Sequence, residues 1–147
     1  MRGKKPEQTS MLALVSLESL VPAEHPLRSI KPMADTALRT LSPTFDAMYS
    51  ERGRPSVPPE RLLKSMLLMA LYSVRSERLF CEQLGYNMLF RWFLDMDMTE
   101  SPFVPTVFSH NRERFLEHDV ARHFFDSVVD QARQGGWLSA DHFSVDG

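Results

Sequence analysis

The chain has 147 residues, 43% of them hydrophobic and 24% charged, which is the length and composition of one ordinary soluble globular domain. Its formal net charge of −2 excludes a global positive field that would favour nucleic acids or anionic membranes. The single Cys81 excludes an internal disulfide and a thiolate zinc cluster, and is compatible with a reducing compartment. The longest apolar run, residues 66–72, is far too short to span a bilayer, so we expect a cytoplasmic protein with no membrane partner.

Charge is distributed unevenly along the chain. Residues 1–27 carry three basic and three acidic side chains, whereas residues 28–94 carry ten basic and six acidic ones. Residues 95–147 carry four basic and ten acidic side chains. A phosphate-binding surface is therefore expected in the middle of the chain rather than at its end.

The first predicted elements follow a flexible lead-in at residues 1–13. Apolar residues from Leu27 to Leu41 recur at helical spacing, with Pro32 either in the first turn of this helix or at a kink within it. Ser42 predicts the N-cap of a separate short helix. The proline-rich segment 51–59 predicts a loop.

The strongest helical pattern covers residues 60–74. It is apolar on every side between residues 66 and 72, which is typical of a helix that crosses the middle of a core. We therefore expect this helix to be the buried centre of the domain, with Arg61 and Lys64 on its polar edge.

Cap residues mark the helices that follow. Ser76 predicts the start of one helix and Gly85 its end, and Asn87 predicts the cap of a short helix after it. Thr106 and Asp119 predict the caps of two more helices.

The C-terminal third contains a helix with one predicted apolar side, formed by Phe108, Phe115 and Leu116. The chain closes with HFSVDG, which alternates apolar and polar residues like a strand, although no partner strand is visible upstream. The predicted fold is all-α: a compact multi-helix domain with helix-turn-helix-like pairs and an unpaired C-terminal strand fragment.

The basic middle of the chain contains the first candidate binding residues. Arg52 and Arg54 lie in the proline-rich loop, and Arg75 and Arg78 lie on either side of the Ser76 cap. Guanidinium groups beside helix N-termini can bind phosphates. The alternative from spacing alone is a solvated helical face.

Candidate metal ligands are sparse. No two of the five histidines have the i,i+4 spacing of a helical zinc site. Asp95 and Asp97 form a close carboxylate pair in a loop, which is typical either of a solvated turn or of a cation site. Asp146, at the end of the strand fragment, is a further isolated carboxylate.

Several motifs together resemble one family. GRPSVPPERLLK, SERLFCEQLGYNMLFRWFL and FSHNRER occur in the order and spacing seen in bacterial insertion-sequence transposases of the InsH type, the insertion-sequence-five group. The final HFSVDG is similar to the start of that group's catalytic domain. The resemblance covers roughly residues 14–147. It implies a helical N-terminal domain at 14–117, then a connecting helix and the first strand of an RNase-H-like domain at 118–147.

The resemblance also implies a function. In this family Asp, Asp and Glu hold two Mg²⁺ or Mn²⁺ ions for phosphodiester chemistry, and Asp146 matches the first of the three. The other two acids have no counterpart here, so we expect a transposase fragment with no bound cofactor and no cleavage activity. The family's FSHNRER-like helix is basic, which adds Arg112 and Arg114 to the candidate DNA contacts. Expected partners are duplex DNA of transposon ends, bound weakly, and a possible second copy of the chain.

A different class of function stays open beside this one, a stand-alone helical interaction or regulatory module derived from a transposase. For either function, we expect residues after Gly136 to be poorly ordered or to lie on the helical domain, with Asp146 exposed.

Overall fold

The computed structural model describes residues 1–8, 12–49 and 57–137. These residues contain helices and no strand, which confirms the predicted all-α fold. The helices are α1 (Leu17–Leu20), α2 (Leu27–Met48), α3 (Pro59–Leu71), α4 (Glu77–Leu84), α5 (Met88–Phe93), α6 (Thr106–Glu117) and α7 (Val120–Gln134). The predicted strand fragment and the predicted order of the tail fall on residues outside the described ranges.

Helix α2 corrects the predictions for its region. It begins before Pro32 and continues through Pro43, so no separate helix begins at Ser42. Both prolines lie on the exposed side, where a carbonyl that loses its helical N–H partner can bond to water. The buried residues continue at helical spacing across Pro43, and they are Leu27, Ala34, Ala37, Leu38, Leu41, Phe45 and Met48. This continuous apolar stripe outweighs the two missing hydrogen bonds.

Helix α3 confirms the predicted helix but changes its predicted burial. Its buried residues lie between Leu62 and Leu68, whereas Leu71 is 47% exposed. The last turn therefore reaches the surface and does not cross the core. Lys64, expected on the polar edge, is only 3% exposed and lies on the buried face.

The predicted caps of α4 and α5 are confirmed. The Ser76 hydroxyl accepts a hydrogen bond from the Leu79 N–H at 3.2 Å, and the Asn87 side chain accepts one from the Phe90 N–H at 3.0 Å. Each bond satisfies one of the N–H groups that a helix start leaves unpaired. Gly85 ends α4 as predicted.

Helix α6 differs from its predicted pattern. Thr106 is its first residue rather than its cap. Phe108 and Phe115 are buried, but Leu116, expected beside them, is 75% exposed. The buried face is instead completed by Asn111, whose side-chain amide donates to a backbone carbonyl of its own helix. A polar residue therefore occupies a core position because its hydrogen bonds are satisfied there.

One core joins all of the longer helices. Helix α2 packs along α7, α3 contacts both of them, and α1 lies on α5. The largest completely buried side chains come from five helices and the residue after α5, and they are Phe80, Phe90, Phe93, Phe124, Leu27, Leu62, Leu63, Leu68, Leu84, Leu94 and Val120. Within the described ranges, no helix combines the length and apolarity needed to cross a bilayer.

Candidate nucleic-acid interface

The described residues contain four of the six predicted DNA-contacting arginines. These four are Arg75, Arg78, Arg112 and Arg114. The other two, Arg52 and Arg54, lie outside the described residues, as does Asp146.

Arg75 and Arg78 occupy the corner between α3 and α4. The chain turns there because Ser73 adopts a left-handed backbone conformation with φ of 55°. Ser76 then caps α4 between the two arginines. Both arginines are exposed, and neither forms a hydrogen bond or an ion pair with another described residue. Their guanidinium groups are therefore available to an anion that approaches the start of α4.

Arg112 reaches the same corner from α6. Its Nη2 lies 2.6 Å from Oε1 of Glu77, the first residue of α4. The structure thus brings Arg112 to the helix start that Arg75 and Arg78 flank, although Arg112 and Glu77 are 35 positions apart in sequence. The Glu77 carboxylate would repel a phosphate at this position, and Arg112 neutralises it.

Arg114 lies elsewhere, because Arg112 and Arg114 are two positions apart on α6 and such residues point to different sides of a helix. Its guanidinium carbon is 4.9 Å from the centre of the Tyr49 ring. The Tyr49 hydroxyl donates to the Asn111 side-chain oxygen at 2.6 Å. Burial raises the pKa of Tyr49, and the Arg114 charge opposes that effect. Arg114 therefore belongs to the contact between α6 and the end of α2, not to the corner at α4.

Arg91 is a buried cation that sequence reasoning missed. It is 3% exposed, and its Nε donates to the Leu84 carbonyl at 2.5 Å. Its Nη1 donates to the carbonyls of Asp97 and Glu100 at 2.6 and 2.8 Å. Arg91 thus fixes the loop after α5 through backbone oxygens. The one sequence signal for the burial of Arg91 was its position inside the short, apolar α5 segment.

Lys64 is the second buried cation. It forms ion pairs with Asp35 of α2 and with Asp95, the latter at 3.3 Å, and its ammonium donates to the Phe93 carbonyl at 3.1 Å. Leu67 and Leu68 follow it at helical spacing and share its face, and this spacing could have revealed its burial. Lys64 therefore connects α2, α3 and the residues after α5, and is not available to phosphate.

Arg61 is also occupied within the domain. Its Nη1 lies 2.7 Å from Oε2 of Glu100, and its Nη2 donates to the Asp95 carbonyl at 2.9 Å. The hydrogen bond from Arg61 lowers the pKa of Glu100. The predicted polar edge of α3 is thus an internal network rather than a basic surface.

Asp95 forms ion pairs with two lysines, although its side chain is largely exposed. Its backbone is left-handed, with φ of 55°, and its carboxylate lies 2.9 Å from Lys31 and 3.3 Å from Lys64. Burial raises its pKa, but the hydrogen bonds and charges of the two lysines outweigh burial and place that pKa below 3.8. Asp97 contributes its carbonyl to Arg91. In the described part of the chain, no three His, Cys, Asp or Glu residues are grouped so that they could hold a metal ion.

Comparison with known families adds one match. A family model described as "Transposase domain (DUF772)" matches residues 15–114, about two thirds of the chain. No curated protein and no solved structure matches the chain. The matched range includes α1 to α5 and most of α6, and therefore the whole corner formed by Arg75, Arg78 and Arg112.

Proposed function

The chain belongs to the transposase-domain family DUF772, and from this premise we propose that it is the N-terminal, DNA-binding part of an insertion-sequence transposase. The sequence resemblance to the InsH type and the insertion-sequence-five group supports the finer assignment. We infer that it binds duplex DNA of transposon ends in the cytoplasm.

The observation that carries this proposal is the corner between α3 and α4. Arg75 and Arg78 are exposed beside the capped start of α4 and lack internal partners among the described residues, unlike Arg61 and Lys64. Such arginines bind phosphate oxygens in pairs of hydrogen bonds. With few cations available, binding is expected to be weak and strongly dependent on salt.

Catalysis is not part of this proposal. By resemblance, Asp146 corresponds to the first acid of an Asp-Asp-Glu set that holds Mg²⁺ or Mn²⁺ in the family. One carboxylate is too few to hold the two metal ions of such a site. We expect a nicking assay with either metal to show only background cleavage by the 147-residue chain, and metal-dependent cleavage abolished in Asp146→Ala would contradict this expectation.

The DNA-binding proposal is tested by fluorescence anisotropy with labelled transposon-end duplex. The quadruple variant R52A/R54A/R75A/R78A is compared with wild type, and R39A/R122A serves as a control with exposed arginines removed elsewhere. We expect at least a tenfold loss of affinity in the quadruple variant and little change in the control. The slope of log affinity against log salt should fall by about 0.9 for each phosphate that the variant no longer neutralises. Unchanged affinity in the quadruple variant would refute the assignment.

Arg112 allows a second, more specific test. If it acts by neutralising Glu77, R112A weakens DNA binding because an unpaired carboxylate then faces the phosphate. Removing that carboxylate as well, in R112A/E77Q, should restore most of the affinity. If R112A/E77Q binds as weakly as R112A, Arg112 contacts DNA directly.

A further inference from the structure

The corner between α3 and α4 exposes apolar side chains beside its two arginines. Leu71 and Tyr72 lie at the end of α3, and Leu79 lies in the first turn of α4, where all three are exposed. Arg75 and Arg78 lie between Tyr72 and Leu79 in sequence. Phosphate oxygens need only the arginines, so the apolar side chains add nothing to a purely electrostatic site. They indicate a ligand that also presents an apolar surface.

The Tyr72 ring is held in place although it is 43% exposed. Its centre lies 5.4 Å from the centre of the Phe90 ring, with 62° between the ring planes. Phe90 is buried and stacks in turn on Phe80 of α4, also with 5.4 Å between ring centres. The Tyr72 backbone N–H donates to the Leu68 carbonyl at 2.9 Å. An exposed ring that is already ordered loses little conformational entropy when a ligand packs on it.

The polar end of Tyr72 has no partner inside the described part of the domain. Its hydroxyl forms no hydrogen bond with a described residue, whereas the Tyr49 hydroxyl donates to the Asn111 side chain at 2.6 Å. Burial raises the pKa of Tyr72, so its hydroxyl stays protonated and does not repel a phosphate. Tyr72 therefore adds a neutral aromatic surface and a hydroxyl donor to the corner that the two arginines make basic.

Phosphate beside a flat apolar surface is the chemistry of a nucleotide whose base has left the stack. In an intact duplex the neighbouring pairs cover both faces of each base, so a side chain at the surface cannot stack there. An unpaired base exposes a π face, and aromatic side chains stack on such faces whatever the sequence. The phosphates of that nucleotide lie close to its base, just as Arg75 lies three residues from Tyr72.

We propose that Tyr72 stacks on an unpaired base of the bound DNA while Arg75 and Arg78 bind the adjacent phosphates. This inference rests on the proposed DNA binding at the same corner, and it names the form of DNA that the corner prefers: a duplex with a base out of its stack. Stacking needs the aromatic ring, whereas phosphate binding needs the charges. Tyr72 thus distinguishes between forms of DNA, and the arginines do not.

Fluorescence anisotropy tests the preference with a labelled transposon-end duplex, either completely paired or with one unpaired base at its centre. Wild type should bind the bulged duplex about fivefold or more tightly than the paired one. Tyr72→Leu keeps an apolar side chain without the ring, so it should bind both forms with the paired-duplex affinity of wild type. Tyr72→Phe keeps the ring and should keep the preference.

Two controls locate the effect. Tyr86→Leu makes the same substitution at a tyrosine that is 62% exposed beyond the end of α4, and it should keep the wild-type preference. R75A/R78A should weaken binding of both DNA forms by a similar factor. A preference that survives in Tyr72→Leu would overturn the proposal, because it would then come from the flexibility of the bulge.

A fluorescent adenine analogue at the unpaired position reports stacking directly. Its emission should be quenched by wild type and Tyr72→Phe but not by Tyr72→Leu, and circular dichroism melting confirms that each variant is folded. Equal binding of both forms by wild type, without quenching, would refute stacking and leave the arginine contacts intact. No binding of either form would refute the proposed function as well. These wild-type comparisons decide the matter even if Tyr72→Leu does not fold.

Discussion

Lys64 and Arg91 lie inside the domain with carboxylates or carbonyls around them, whereas Arg75 and Arg78 are exposed and lack partners among the described residues. All four belong to the basic stretch at residues 28–94, so charge counting treats them alike. Six of the eight basic side chains described in that stretch form ion pairs or hydrogen bonds within the domain, and they are Arg28, Lys31, Arg39, Arg61, Lys64 and Arg91. The sign of a charge thus does not separate structural cations from surface cations, but burial and partners do.

Replacing Arg91 should cause the largest loss of stability. In Arg91→Met, three backbone carbonyls lose their donor in a buried site, so the free energy of unfolding should fall by about 3 kcal/mol or more. Urea denaturation measures the change. Arg75→Met is the matched control with the same substitution on the surface. Equal stabilities for the two variants would remove the distinction between buried and exposed cations.

Replacing Lys64 should reduce the free energy of unfolding less than replacing Arg91 does. Lys64→Met leaves Asp35 and Asp95 without one cation, but both carboxylates are partly exposed and keep Lys31 as a partner. We expect a loss of about 1–3 kcal/mol in the free energy of unfolding, less than for a completely buried pair. Urea denaturation again provides the measurement, and a stabilised variant would show that desolvation of Lys64 outweighs its ion pairs.

Local signals predicted most of the fold, and tertiary packing decided the rest. The caps at Ser76 and Asn87 are correct because each depends on hydrogen bonds within four residues of the chain. The break at Pro43 is wrong because packing of α2 on α7 stabilises a helix that the local sequence would interrupt. The burial of Lys64 was missed for the same reason, since its partners are about 30 residues away in either direction.

The candidate site was less predictable than the fold. Arg75 and Arg78 follow from sequence because their position beside a cap is local. The approach of Arg112 to Glu77 joins residues 35 positions apart, and no sequence spacing reports it. The separation of Arg112 from Arg114, by contrast, follows from helical geometry once α6 is known.

The ion pairs of Asp95 in the network around Lys64 should make a smaller contribution to stability, one that depends on pH. The pKa of Asp95 lies below its ordinary value of 3.8, so its ion pairs stabilise the fold above about pH 3.8 and are lost as pH falls through the lower value in the folded chain. Because this carboxylate is largely exposed, the contribution should be less than about 1 kcal/mol. Asp95→Asn suits the left-handed backbone and should flatten the pH dependence of unfolding below about pH 4. An unchanged pH profile would show that other carboxylates determine acid sensitivity.

The smallest effect on stability should come from the exposed pair at the α3–α4 corner. Arg75→Ala/Arg78→Ala removes two cations that have no partner in the described structure, and surface substitutions of this kind change stability by no more than about 0.5 kcal/mol. Thermal unfolding should therefore match wild type, while the same double variant weakens DNA binding by several-fold in the anisotropy assay. Arg39→Ala/Arg122→Ala controls for the change in net charge. A lower melting temperature with unchanged DNA affinity would place Arg75 and Arg78 with Arg91, as residues that hold the fold rather than bind a partner.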